Sequence, residues 1–123
     1  MKSFWHEGQV EVDGETLTLV CDFYAIDVIE SLTGQGMDEI LPQMVTPSHS
    51  LAVKVLWGLL RRKHEGITLD EAAGALFSSR ENTVKVSAVM GDVLRRAMNV
   101  GEEAKDENPP RRRGRSKSSG KNG

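Results

Sequence analysis

The side chains of this chain best suited to covalent or metal chemistry are Cys21, His6, His49 and His64. A metal site needs its ligands at fixed spacing, and these four lie far apart with no CxxC, HExxH or HxxxH pairing among them. A nucleophilic thiol needs a base and an electropositive niche. Cys21 stands just ahead of an expected helix N-terminus, which lowers a thiol pKa, but the Asp22 carboxylate beside it works in the opposite direction. Asp22, Asp27 and Glu30 fall at or near helical-turn spacing and suit acid–base work, yet the same spacing is ordinary on a solvated helix face. Gly34-Gln35-Gly36 has no preceding strand, no GK[ST] and no third glycine, so it reads as a helix stop and not as a phosphate loop. These residues predict no catalysis, no metal and no cofactor.

What remains points to binding. Of the five methionines, Met37, Met44, Met90 and Met98 fall near the ends of expected helices, as flexible apolar surface or as core filling. Phe4 and Trp5 precede a hairpin, where they either cover its sheet or form an exposed anchor. Trp5, Met37, Met44 and Met98, all near segment ends, are the candidate partner contacts at a groove rim. Arg111, Arg112, Arg113, Arg115 and Lys117 form a basic run that can meet phosphates or simply be solvated.

The elements that must position these residues are legible in the pattern. From Gln9 to Val20 the chain alternates, with Val10, Val12, Leu17 and Leu19 on one parity and Asp13-Gly14 between them as a turn pair that accepts positive φ. Two strands alone are marginal, so this hairpin must lie on helices. Asp22 caps a helix over about 22–33 that stops at Gly34, and a short amphipathic piece follows from Asp38 to Val45. Thr46-Pro47 reads as an N-cap and N1 pair opening a helix to about His64. Its stripe is Leu51, Ala52, Val55, Leu56, Leu59 and Leu60, and its polar strip Lys54, Gly58, Arg61 and Arg62. Thr68-Leu69-Asp70-Glu71 is a capping box that opens a helix through Phe77. Ser78 or Ser79 caps a last helix to about Met98, with Val86, Val89, Met90, Val93, Leu94 and Ala97 inward. The fold class is therefore α+β: mostly helical, an N-terminal β-hairpin packed on about four helices.

The 123 residues suffice for one domain and a tail. Residues 1–101, expected to form the folded body, carry nine basic and fourteen acidic side chains, whereas 102–123 carry seven basic and four acidic. The latter segment has almost no apolar residues and is expected to be a disordered Arg/Ser/Gly-rich tail. The body's acidic balance excludes a strong field for a polyanion, so such a partner would meet the tail. A single cysteine fits the reducing cytosol. The polar start and the absence of any apolar run longer than Val55–Leu60 predict a soluble, non-secreted protein without membrane contact.

Taken in order, several segments resemble one family. They are the hairpin from Gly8-Gln9-Val10-Glu11-Val12-Asp13-Gly14 to Leu19, the helix from Ile26 to Gly34, Ser50-Leu51-Ala52-Val53-Lys54-Val55-Leu56-Trp57-Gly58-Leu59-Leu60-Arg61, and Ile67-Thr68-Leu69-Asp70-Glu71-Ala72. Together they are similar to the tail assembly chaperones of long-tailed phages and of gene transfer agents. The resemblance covers about residues 8–98 and is most specific where the Leu56-Trp57-Gly58 helix leads into the Thr68 cap. The contiguous Trp57-Gly58 pair and the short Lys63-His64-Glu65-Gly66 loop depart from the family's pattern.

The resemblance implies a non-enzymatic protein of the host cell cytoplasm. Members coat the long hydrophobic helices of the tape measure protein before the tail tube forms, then give way to tube subunits. The implied partners are the tape measure protein and the major tail tube protein, with self-association open and nucleic acid not expected. No contact residue carries over. Members are often made in two lengths by a ribosomal frameshift, and Gly120-Lys121-Asn122 is compatible with a G- and A-rich slippery heptamer. The alternative function is a small helical nucleic-acid-binding or regulatory protein that uses its basic tail.

Overall fold

The computed structural model describes residues 3–98. The 101/102 boundary, the expected disorder of 102–123 and the basic run Arg111 to Lys117 lie outside the described residues.

Strands β1 (Trp5–Val12) and β2 (Glu15–Asp22) form an antiparallel hairpin. Its two-residue turn holds Asp13 at φ 52° and Gly14 at φ 83°, the two left-handed positions that Asp-Gly accepts. Val12 faces Glu15 across the turn and Trp5 faces Asp22 at the open end. A turn of this kind makes Val12–Glu15 a hydrogen-bonded pair, and bonded and non-bonded pairs alternate from there. The main-chain groups of Trp5, Glu7, Gln9 and Glu11 therefore point away from β2, and those of Thr16, Thr18, Val20 and Asp22 away from β1. Side chains satisfy one group on each free edge: Arg96 Nη2 donates to the Glu7 carbonyl at 2.9 Å, and the Thr18 N–H donates to His64 Nε2 at 3.0 Å.

Val10, Val12, Leu17 and Leu19 are buried, as the alternation predicts. Val20 is fully buried too, although it lies on the opposite face. The segment after the central helix meets β2 on either side of Val20, with His64 on the Thr18 N–H at the strand's free edge and Arg62 paired with Asp22 at 2.8 Å.

Five helices follow: α1 (Phe23–Thr33), α2 (Met37–Gln43), α3 (His49–Leu60), α4 (Leu69–Phe77) and α5 (Arg80–Met98). Asp22 Oδ1 accepts the Ala25 N–H at 2.9 Å to start α1, and Gly34 at φ 74° ends it. The seven residues of α2 accommodate Pro42, while the Glu39 carboxylate accepts the Gly36 N–H and Met37 and Ile40 are buried. Thr46-Pro47 does not open α3. The Ser48 hydroxyl accepts the Leu51 N–H at 3.1 Å instead, and the helix ends at Leu60, short of His64. Thr68 and Glu71 close the expected capping box reciprocally, at 3.0 and 2.9 Å. Of the two candidate serines, Ser79 caps α5, accepting the Asn82 N–H at 3.0 Å.

The expected α3 stripe is buried in full and makes α3 the hub, against α1 on one side, α4 on another and β2. Gly58 does not belong to the polar strip. It is buried where α1 crosses, and a Cβ there would fall inside van der Waals distance of Ile29 Cγ1 and 3.1 Å from its Cδ1. Helix α5 lies along the inner face of the hairpin, close enough at Gly8 that a Cβ would be 2.8 Å from Val93 Cγ2. Asn82, buried on α5, reaches Ser78 Oγ at 3.2 Å and Asp13 Oδ1 at 3.4 Å, tying the helix start to the hairpin turn.

Candidate functional site

A groove of about 320 Å³ runs between α3 and α4. His49 and Val53 on α3 face Leu69, Ala73 and Phe77 on α4, and Lys54 and Asp70 supply opposite charges on the two walls. Helical periodicity builds the α4 wall, since Leu69, Ala73 and Phe77 recur every four residues and share a face. The intervening Ala72 and Leu76 turn into the core. Leu69 and Phe77 are 38% and 37% exposed, a large apolar area left in water at the groove lip. Phe77 stacks on the His49 ring at 4.5 Å between centroids, which fixes the groove's end. The surface is apolar at its centre and charged at its edge, and its chemistry is that of binding.

Of the candidate contacts, Trp5 is 41% exposed and Met37 only 6%. Met37 is thus a core residue at the start of α2 and is not offered to a partner in this fold. Met44 and Met98 are half-buried against the core. None of the four lines the groove. Trp5 instead joins a cation-rich corner at the hairpin's open end. The Arg62 guanidinium lies 5.9 Å from the Trp5 ring and 4.9 Å from Tyr24, Lys63 Nζ is 5.8 Å from Trp5, and Asp22 holds Arg62 from beneath. This corner joins β1, α1 and the end of α3. The groove residues were not singled out from sequence, although the Leu69–Ala73–Phe77 repeat was available as a signal. What pattern cannot give is that α3 leaves this stripe uncovered.

A larger cleft of about 560 Å³ opens at the hairpin turn, where Asp13, Glu15, Glu65 and Glu71 surround the apolar Val12 and Leu17. Its walls are polar and acidic, unlike the groove. Cys21 is fully buried, and burial in the first place, then the charge of Asp22, push its thiol from 9.0 up to about 11. That is the opposite of an activated nucleophile. Among the described residues, no group of three or more His, Cys, Asp or Glu side chains is placed to hold a metal ion, and no helix is long and apolar enough to cross a membrane. Compared with protein-family models, curated proteins and solved structures, the chain matches none of them.

Proposed function

We propose that this protein is a non-enzymatic tail assembly chaperone of a phage or prophage, acting in the host cytoplasm to cover hydrophobic helices of a tape measure protein and to help recruit tail tube subunits. The observation that carries this reading is the α3–α4 groove, with its exposed Leu69 and Phe77 and its charged rim. A chain that must remain inside a tube not yet built exposes apolar helix faces, and such faces aggregate when uncovered. A shallow apolar groove accepts the i, i+3 and i+4 side chains of one helix, while Lys54 and Asp70 keep the rim hydrated and fix the helix's direction. The resemblance of residues 8–98 to the tail assembly chaperones supplies the identity of that helix.

Co-expression with the neighbouring long helical gene product tests the proposal. The tape measure protein is expected to stay soluble and to co-purify with this chain, in a complex that survives 0.5 M salt, about a threefold rise over ordinary physiological ionic strength. An insoluble tape measure protein that leaves this chain free would remove the reading. Nucleic-acid binding through the tail predicts the contrary pattern: association that collapses with salt and disappears when the basic run is neutralised.

A further inference from the structure

We propose, building on the helix docking put forward above, that the α3–α4 groove selects its partner by charge order: an amphipathic helix with acidic residues along the flank beside α3 and basic residues along the flank beside α4. The two walls differ in sign as whole elements. Helix α3 contains Lys54 and no acidic residue, and α4 contains Asp70 and Glu71 and no basic one. Lys54 and Asp70 both line the groove. Among the described residues the ion pairs are Arg62–Asp22, Lys85–Glu81 and those of Arg95 and Arg96 with Asp92, so neither groove charge has a counter-ion.

The neighbouring charges leave this polarity intact. Arg61 follows Lys54 by seven residues, two turns along the same side of α3, and rests over the Trp57 ring at 4.6 Å. It adds to the positive wall. Glu71 turns its carboxylate back to the Thr68 N–H at 2.9 Å and lines the acidic cleft, not the groove.

The shape sets the apolar part of the partner. His49 at the start of α3 meets Phe77 at the end of α4, while Trp57 donates to the Ile67 carbonyl ahead of α4 at 2.8 Å, so the two walls run antiparallel. From Leu69 to Phe77 the α4 wall is about 12 Å long, two turns of helix, and Ala73 leaves room between the two larger side chains. Apolar residues at i, i+4 and i+7 of a partner helix match that length, the bulkiest over Ala73 and Val53. Turning such a helix end for end exchanges its left and right flanks. A helix with one acidic and one basic flank therefore meets opposite charges on both walls in one direction, and like charges on both in the other. The apolar contact supplies affinity and the charges supply direction.

The probe is a helical peptide of about 18 residues, five turns, with leucines at i, i+4, i+7 and i+11, glutamates on one flank, lysines on the other and a nitroxide at its N-terminus. At about 20 mM salt it should bind the parent and broaden amide signals at one end of the groove only, that of Leu69 or that of Phe77. Lys54→Glu makes both walls acidic and Asp70→Lys makes both basic. Each should weaken binding about fivefold and broaden both ends alike, since either direction then offers one attraction and one repulsion. The double variant should recover affinity to within about twofold and move the broadening to the opposite end. Lys54→Glu lies inside α3, away from its cap, and carries the test alone if Asp70→Lys loosens the first turn of α4. Equal binding to all four proteins, or broadening at the same end in the parent and the double variant, would overturn the charge order while leaving helix docking in place. A peptide that does not bind the parent would overturn the inference altogether, and parallel co-expression with the tape measure protein separates that failure from failure of the chaperone reading.

Discussion

Replacing Gly58 with alanine probes the contact on which the helical core turns. In an isolated helix the change is favourable by about 1 kcal/mol, because glycine gives up more backbone freedom than alanine. Here the new Cβ would overlap Ile29 Cγ1, lie 3.1 Å from Ile29 Cδ1 and 3.7 Å from the Ala25 carbonyl oxygen. Ile29 is fully buried and has nowhere to turn, so α1 and α3 must separate. Overpacking costs about 1–3 kcal/mol, and an overlap this deep with a buried side chain falls at the upper end, about 2–3 kcal/mol, so that after the propensity gain Gly58→Ala should be less stable by about 1–2 kcal/mol. The sign should reverse in an Ile29→Ala background, where the side chain that blocks the Cβ is gone and the helix preference alone remains, worth about 0.5–1 kcal/mol. Urea denaturation of the four proteins of the cycle measures both quantities. A Gly58→Ala single variant as stable as the parent would refute the close crossing of α1 and α3.

Three further perturbations follow from the same structure. Thr68→Ala removes the hydroxyl that accepts the Glu71 N–H and should lower stability by about 1 kcal/mol, read from the denaturation midpoint. Asp22→Ala removes both the cap of α1 and the partner of Arg62; with Arg62 43% exposed and its share screened, the loss should be about 2–3 kcal/mol. The Cys21 thiol titrates at about 11 when folded against 9.0 otherwise, so its protonated form contributes stability fully present below pH 9 and lost as pH rises toward 11. A Cys21→Ala protein should lack that part of the decline, measured by denaturation at pH 8, 9.5 and 10.5.

The parts of the fold that rest on neighbours in sequence were legible before the structure. The Asp13-Gly14 turn, the Val10/Val12 and Leu17/Leu19 parity, the Asp22 cap and the Thr68–Glu71 box each act within a few residues. The start of α3 was misplaced because Thr46-Pro47 and Ser48 are both sound helix openings. The second prevails, with its hydroxyl on the Leu51 N–H and Leu51 and Ala52 in the core. Gly58 was placed on the polar strip because a residue without a side chain carries no hydropathy signal; what buries it is Ile29, on another helix. Val20 was overlooked because it lies on the parity opposite Leu17 and Leu19, yet it is fully buried. The partner surface was sought at methionines near helix ends, yet Met37 is consumed by the core. The groove arises where the Leu69–Ala73–Phe77 stripe meets the start of α3, a long-range placement that periodicity does not encode.

The most direct test of the account places a charge in the groove and asks whether the partner is lost while the fold is kept. Ala73 is half-buried on the groove wall and tolerates glutamate within a helix, whereas Val84 is 63% exposed on α5 and outside the groove. Both variants should show the parent's helical circular dichroism. In co-expression, the Val84→Glu protein should keep the tape measure protein soluble and bound, and the Ala73→Glu protein should release it to the insoluble fraction. Equal recovery of the partner with both variants would contradict the claim that this groove is where the protein shields a hydrophobic helix.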